Sequence, residues 1–127
     1  MYNKIYKMNA VKIPLSELNT RLVTLGLSPN WTIRETGLKG YTLRRKYTFS
    51  NFEATWSFLI QVSMRAHLWG HHPTIHTIYN KVELELITHD LDNGCISDID
   101  LKLAKQIESY INLYKSQENG QILMNKQ

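Results

Sequence analysis

The chain's five histidines, His67, His71, His72, His76 and His89, all fall within one stretch that begins at Ala66-His67-Leu68-Trp69-Gly70-His71-His72-Pro73 and ends at Thr88-His89. An imidazole titrates near neutrality, so it both gives and takes a proton under mild conditions. A cluster of them points to acid–base chemistry or to a metal site. His72 precedes Pro73, which pushes it toward an extended backbone. Neighbours on such a backbone project to opposite sides, so when one of His71 and His72 faces a substrate, the other grips it differently or faces a wall. His89 arrives from the end of a strand. A pocket between the helix end and that strand end would gather His71, His72 and His89, and two imidazoles brought close hold one of the pair neutral because like charges repel. No serine or cysteine nucleophile arrangement stands out, so covalent catalysis is not indicated. Three histidines also suit zinc, but His-Glu-x-x-His is absent and His67–His71 is the only pair at i,i+4 spacing, so no metal is expected. Taken singly, a histidine at a helix end is more often a cap or surface residue than a catalyst.

The flanking elements must position this cluster. Ser16 is a good N-cap for a helix over about Glu17–Leu25, with Leu18, Leu22 and Leu25 on one stripe and Gly26 closing it. Trp31–Glu35 and Tyr41–Phe49 read as strands. In the second, Tyr41, Leu43, Arg45, Tyr47 and Phe49 share one face, while Thr42, Arg44, Lys46 and Thr48 share a solvated or ligand-facing one. Ser50 and Asn51 cap the longest helix, Phe52–Trp69, whose expected buried stripe is Phe52, Trp56, Leu59, Val62 and Ala66. Phe58 and Met64 lie off that stripe, so a second face would also be covered, as by a subunit contact. Gly70 closes the helix and Pro73 keeps it from resuming. Ile75–Tyr79 and Val82–His89 form a hairpin around Asn80-Lys81, and His89 points away from the core by parity with Glu83 and Glu85. Ser97-Asp98-Ile99-Asp100 forms a capping box for a helix to about Tyr114. The order predicts an α+β fold: a four-stranded antiparallel sheet with about three helices packed on one face.

With 127 residues, 43% hydrophobic and 20% charged, the chain fits one domain over 1–127, with 1–13 and 116–127 flexible or peripheral. The single cysteine, Cys95, excludes an internal disulfide and a Cys-rich zinc motif. The net charge of +4 is a mild excess. Its densest run, Arg44-Arg45-Lys46, is too short for a dedicated nucleic-acid binder, whose affinity would fall steeply with salt. No apolar stretch approaches the ~20 residues of a membrane span. Lys4, Lys7 and Lys12 come without an apolar signal core or an arginine, so the cytosol is the expected compartment.

The set His71-His72-Pro73, Tyr79-Asn80-Lys81-Val82 and Thr88-His89, with its spacing, resembles the pterin-4a-carbinolamine dehydratase family. Trp31, Tyr47-Thr48-Phe49 with Phe52, and Phe58 match framework positions, and the likeness runs from about Trp31 to Ala104. The resemblance implies a one-sided antiparallel sheet and dimers that often pair into tetramers. It also implies loss of water from 4a-hydroxytetrahydropterin to give quinonoid dihydropterin, without metal or cofactor. That reaction belongs to tetrahydrobiopterin recycling, with an aromatic amino acid hydroxylase as pathway partner. His71 and His89 are then the acid–base pair, and His72, beside Pro73, mainly binds and orients the pterin. Asp100 matches the family's acidic residue at the start of the last helix and is counted with the pterin-binding residues, besides fitting the capping box. His67 stands where the family often has an acid and is counted with the pterin-binding residues. Ile75 replaces a common aromatic, and the His89–Asp100 interval is one residue longer than in animal members. Some animal relatives also bind a homeodomain transcription factor, so the alternative is a protein-binding module that stabilises such a factor's dimer.

Overall fold

Among the described residues, two hairpins and three helices build the fold. The computed structural model describes residues 10–37, 40–89, 91 and 94–120, apart from the side chains of 115–120. The elements run α1 (Leu15–Thr24), β1 (Thr32–Glu35), β2 (Tyr41–Thr48), α2 (Phe52–Trp69), β3 (Thr74–Ile78), β4 (Lys81–Leu86) and α3 (Asp98–Gly120). The strands form one antiparallel sheet in the order β1-β2-β4-β3. Leu43 faces Leu86, Arg45 faces Leu84 and Tyr47 faces Val82 across β2 and β4. These pairs fall on the side covered by helices, where Leu43, Val82, Leu84 and Leu86 are buried with Phe58, Leu59, Val62, Leu103 and Ile107. The α+β arrangement expected from the periodicities is the one observed.

α2 has the expected bounds because its ends are written into the chain. The Asn51 side chain accepts from the Ala54 amide at 2.7 Å, a side-chain N-cap. The far end is a Schellman turn: Gly70 sits at φ 67, with Gly70 N–H donating to His67 O at 3.1 Å and His71 N–H to Ala66 O at 3.0 Å. That left-handed residue suits glycine. The buried face differs from expectation. Thr55, Phe58, Leu59, Val62 and Ala66 are buried, while Phe52 and Trp56 are 48% and 42% exposed. Phe58 wins the core position by packing its ring, tilted, 4.9 Å from that of Phe49 and meeting Tyr114 edge-on. Burial pushes the Tyr114 phenol above its ordinary pKa, and a hydrogen bond with Ser57 works against that rise. Phe52, Trp56, Ile60, Met64 and Leu68 are left as an exposed apolar row at i,i+4 spacing.

Arg45 belongs to the core side of β2. Its Nε–H donates to Glu108 Oε2 at 2.8 Å, and Trp31 Nε1–H donates to the same oxygen at 2.7 Å. The basic run is therefore split between the two faces of the sheet. Arg44, on the open face, is paired with Glu83 and Glu85. A run so divided and neutralised does not form a continuous cationic strip, which weakens the nucleic-acid reading.

Smaller corrections follow from local hydrogen bonding. α1 begins at Leu15 after Pro14, with no side-chain cap from Ser16; proline is suited to a helix start because it has no N–H to leave unpaired. The β3–β4 turn is Tyr79-Asn80, one residue earlier than expected, with Tyr79 at φ 52. Asn80 is pinned to the end of β2, since its Nδ2 donates to Phe49 O and its carbonyl accepts from Phe49 N–H, both at 2.8 Å. β4 stops at Leu86 rather than His89, because Thr88 turns to exchange backbone bonds with Cys95. α3 continues past Tyr114 to Gly120, with no proline to interrupt it. Of the terminal stretches expected at the periphery, residues 11–13 are tied in: Ile13 is buried, its N–H donates to Ile96 O at 3.0 Å, and Asp98 N–H donates to Val11 O at 3.0 Å. Residues 1–9 and 121–127 lie outside the described residues.

Candidate active site

The site grows from three chain reversals. The Schellman turn after α2 aims His71. The Thr88–Cys95 pairing, with Thr88 N–H donating to Cys95 O at 2.8 Å, holds the segment that carries His89. The first turn of α3 supplies Asp100. Asp100 is fully buried, and a buried carboxylate costs several kcal/mol unless donors surround it. They do. Its Oδ2 accepts from Thr88 Oγ1 at 2.8 Å and from the Ser97 amide at 2.9 Å, with Ser97 Oγ at 3.4 Å. The Ser97 amide bond is the reciprocal half of the capping box read from the sequence. Its Oδ1 lies 2.5 Å from His71 Nε2.

His71 is thus half-buried on a carboxylate that is itself held by other donors. Such an imidazole has a defined orientation and one ring nitrogen left for a partner. His72 turns the other way, as neighbours on an extended backbone should. It is exposed, and its ring lies 5.8 Å from that of His67. Pro73 is partly buried, while His76 and His89 are exposed. The inward turn of Thr88 onto Asp100 sends its neighbour His89 outward. Four of the five histidines are thus accounted for, in the pairs His71–Asp100 and His67–His72 and with His89 one residue from a donor to the same carboxylate, while His76 lies apart on β3. Among the described residues no hydrogen bond or ring contact joins His89 to His71 or His72. No group of three or more His, Cys, Asp or Glu side chains among them is placed to hold a metal ion.

Sequence reasoning placed Asp100 in the site but missed its grip on His71, and it missed Thr88 and Ser97 as partners. The capping box was the available signal for Ser97. The other two bonds join residues 29 and 12 positions apart, separations that no local spacing encodes.

Fold and site together define an α+β protein with one histidine of a cluster held on a buried carboxylate. Comparison with known proteins narrows this. The family described as pterin 4 alpha carbinolamine dehydratase matches residues 12–110, and the chain belongs to that family. A Saccharomyces cerevisiae protein provisionally named pterin-4-alpha-carbinolamine dehydratase is 44% identical over 117 residues, covering 87% of this chain and 96% of the relative. A Synechococcus protein of the same provisional name is 37% identical, covering 76% of this chain and 94% of its own. Among solved structures, a Brucella melitensis transcriptional coactivator/pterin dehydratase is similar with a TM-score of 0.66 at 25% identity, covering 79% of this chain and 98% of that one.

Proposed function

We propose that the protein is a single-domain enzyme that dehydrates a 4a-hydroxytetrahydropterin to the quinonoid dihydropterin by histidine acid–base catalysis. Breaking the C4a–O bond requires a proton on the leaving hydroxyl, and forming the N5=C4a bond requires loss of the N5 proton. One imidazole gives the first proton and another takes the second, so water leaves with no net change in the enzyme's protonation. His71 and His89 supply this pair, and His72, Pro73 and His67 bind the pterin. Asp100 contributes through His71 rather than by touching the pterin. The observation that carries the reading is His71 held on buried Asp100, within a chain that belongs to this family.

The test is dehydration of freshly generated 4a-hydroxytetrahydropterin, followed by its ultraviolet change, with and without chelator. His71→Ala and His89→Ala should each lower kcat by roughly 10²–10⁴-fold, the usual range for a lost acid or base. Wild type no faster than buffer would sink the proposal.

The exposed α2 row supports self-association into a dimer or tetramer. It also favours a second reading, a protein-binding module, which the coactivator name of the Brucella protein parallels. Inactive wild type would move that reading to first place. No helix among the described residues is long and apolar enough to cross a membrane. We place the reaction in the cytosol, serving an aromatic amino acid hydroxylase pathway.

A further inference from the structure

We infer that Thr88 and Ser97 are positioning residues which, through Asp100, fix His71 in its Nε2–H tautomer and so make Nδ1 the atom that exchanges a proton with the substrate. The substrate half of this inference rests on the dehydratase reading.

The argument is a count of protons and lone pairs. Thr88 Oγ1 and Ser97 Oγ lie 2.6 Å apart, and both are buried. Each hydroxyl has a single proton to give. Thr88 Oγ1 is the hydroxyl close to Asp100 Oδ2, at 2.8 Å against 3.4 Å for Ser97 Oγ; with the Thr88 proton given to that carboxylate, Thr88 accepts at the 2.6 Å contact and Ser97 donates. The chain of donation therefore runs from Ser97 to Thr88 to Asp100. With the Ser97 amide also donating to Oδ2 at 2.9 Å, that oxygen is surrounded by donors. A proton on Oδ2 would displace one of them.

The remaining oxygen, Oδ1, meets His71 Nε2 at 2.5 Å, and one proton lies between them. With the donors on Oδ2 holding Asp100 as an acceptor, that proton is carried by the ring nitrogen and donated to Oδ1. His71 then carries Nε2–H toward Asp100, and its Nδ1 is bare in the neutral ring. That nitrogen takes a proton as a base or returns it as an acid. Thr88 has a second consequence. Holding its side chain inward orients the backbone from which His89 departs, so one buried hydroxyl serves both members of the proposed acid–base pair.

The experiment uses the full chain labelled with ¹⁵N-histidine, its His71 signals assigned by their loss in His71→Ala. Nuclear magnetic resonance near neutral pH reads which ring nitrogen is protonated, and the dehydration assay runs beside it. Wild type should show His71 as Nε2–H. Thr88→Val, similar in shape but without the hydroxyl, should give a mixture of tautomers and kcat lower by about tenfold, as for other partners that orient a functional histidine, with KM little changed. Thr88→Ser should restore the spectrum and the rate. A wild-type His71 protonated at Nδ1, or a Thr88→Val protein with unchanged tautomer and kcat, overturns the inference. If Thr88→Val fails to fold, Ser97→Ala takes its place, and the wild-type spectrum still decides the tautomer. A wild type that holds Nε2–H but does not accelerate dehydration supports the positioning role while overturning the dehydratase reading.

Discussion

Asp100 is used twice. One oxygen closes the reciprocal half of a helix cap with the Ser97 amide, and the other holds His71. Replacing it therefore tests stability and chemistry together. Asp100→Asn keeps the shape but turns one acceptor into an NH₂ donor, which either confronts the donors on the Oδ2 side or faces His71 and reverses its tautomer. The expected result is a loss of about 1–2 kcal/mol in urea unfolding and of roughly 10²-fold in kcat, measured on the same preparation. An Asp100→Asn protein with wild-type rate would show that Asp100 does no more than cap. At this scale the sequence was informative about membership and silent about pairing. His71, His72 and His89 stand out by type and spacing. That His71 takes Asp100 as its partner while His72 turns to His67 depends on where α3 docks, which local spacing does not encode.

The helix end before His71 is governed by one backbone angle. Gly70 at φ 67 allows the chain to leave α2 with its last carbonyls satisfied and His71 turned back toward the core. A side chain at that angle costs about 1 kcal/mol or somewhat more. Gly70→Ala should therefore lower stability by about that amount. It should lower kcat further than an equal destabilisation elsewhere in the sheet, because relaxation of the turn moves the His71 ring off Asp100; circular-dichroism melts beside kinetics make the comparison. The bounds of α2 were legible for the same reason, since Asn51, Gly70 and Pro73 are local signals. Its buried face was not. Phe52-Trp56 and Thr55-Phe58 fit the helical period equally well, and the choice was made by Phe49 and Tyr114, which come from other elements. The Arg45 position was legible from strand parity alone, but its partner Glu108, 63 residues away, was not.

For the molecule as a whole, the main unspent surface is the apolar row from Phe52 to Leu68 along α2. Exposed contiguous apolar patches on soluble proteins commonly mark association sites. Ile60, 55% exposed at the middle of the row, makes few demands on the monomer. Ile60→Glu should leave stability within about 0.5 kcal/mol of wild type while weakening self-association at least about tenfold, equivalent to ~1.4 kcal/mol. Light scattering across a dilution series reads this directly, and an unchanged oligomer would move the interface off α2. The group proposed to handle the proton is assembled from residues 71, 88, 97 and 100, contributed by the end of α2, the segment after β4 and the start of α3. None of these segments holds its geometry without the other two. A chain that is only partly folded thus has no weakened version of this group; it lacks the group. Heat or denaturant should reduce the number of working molecules before it slows any one of them, and specific activity becomes a count of completed chains.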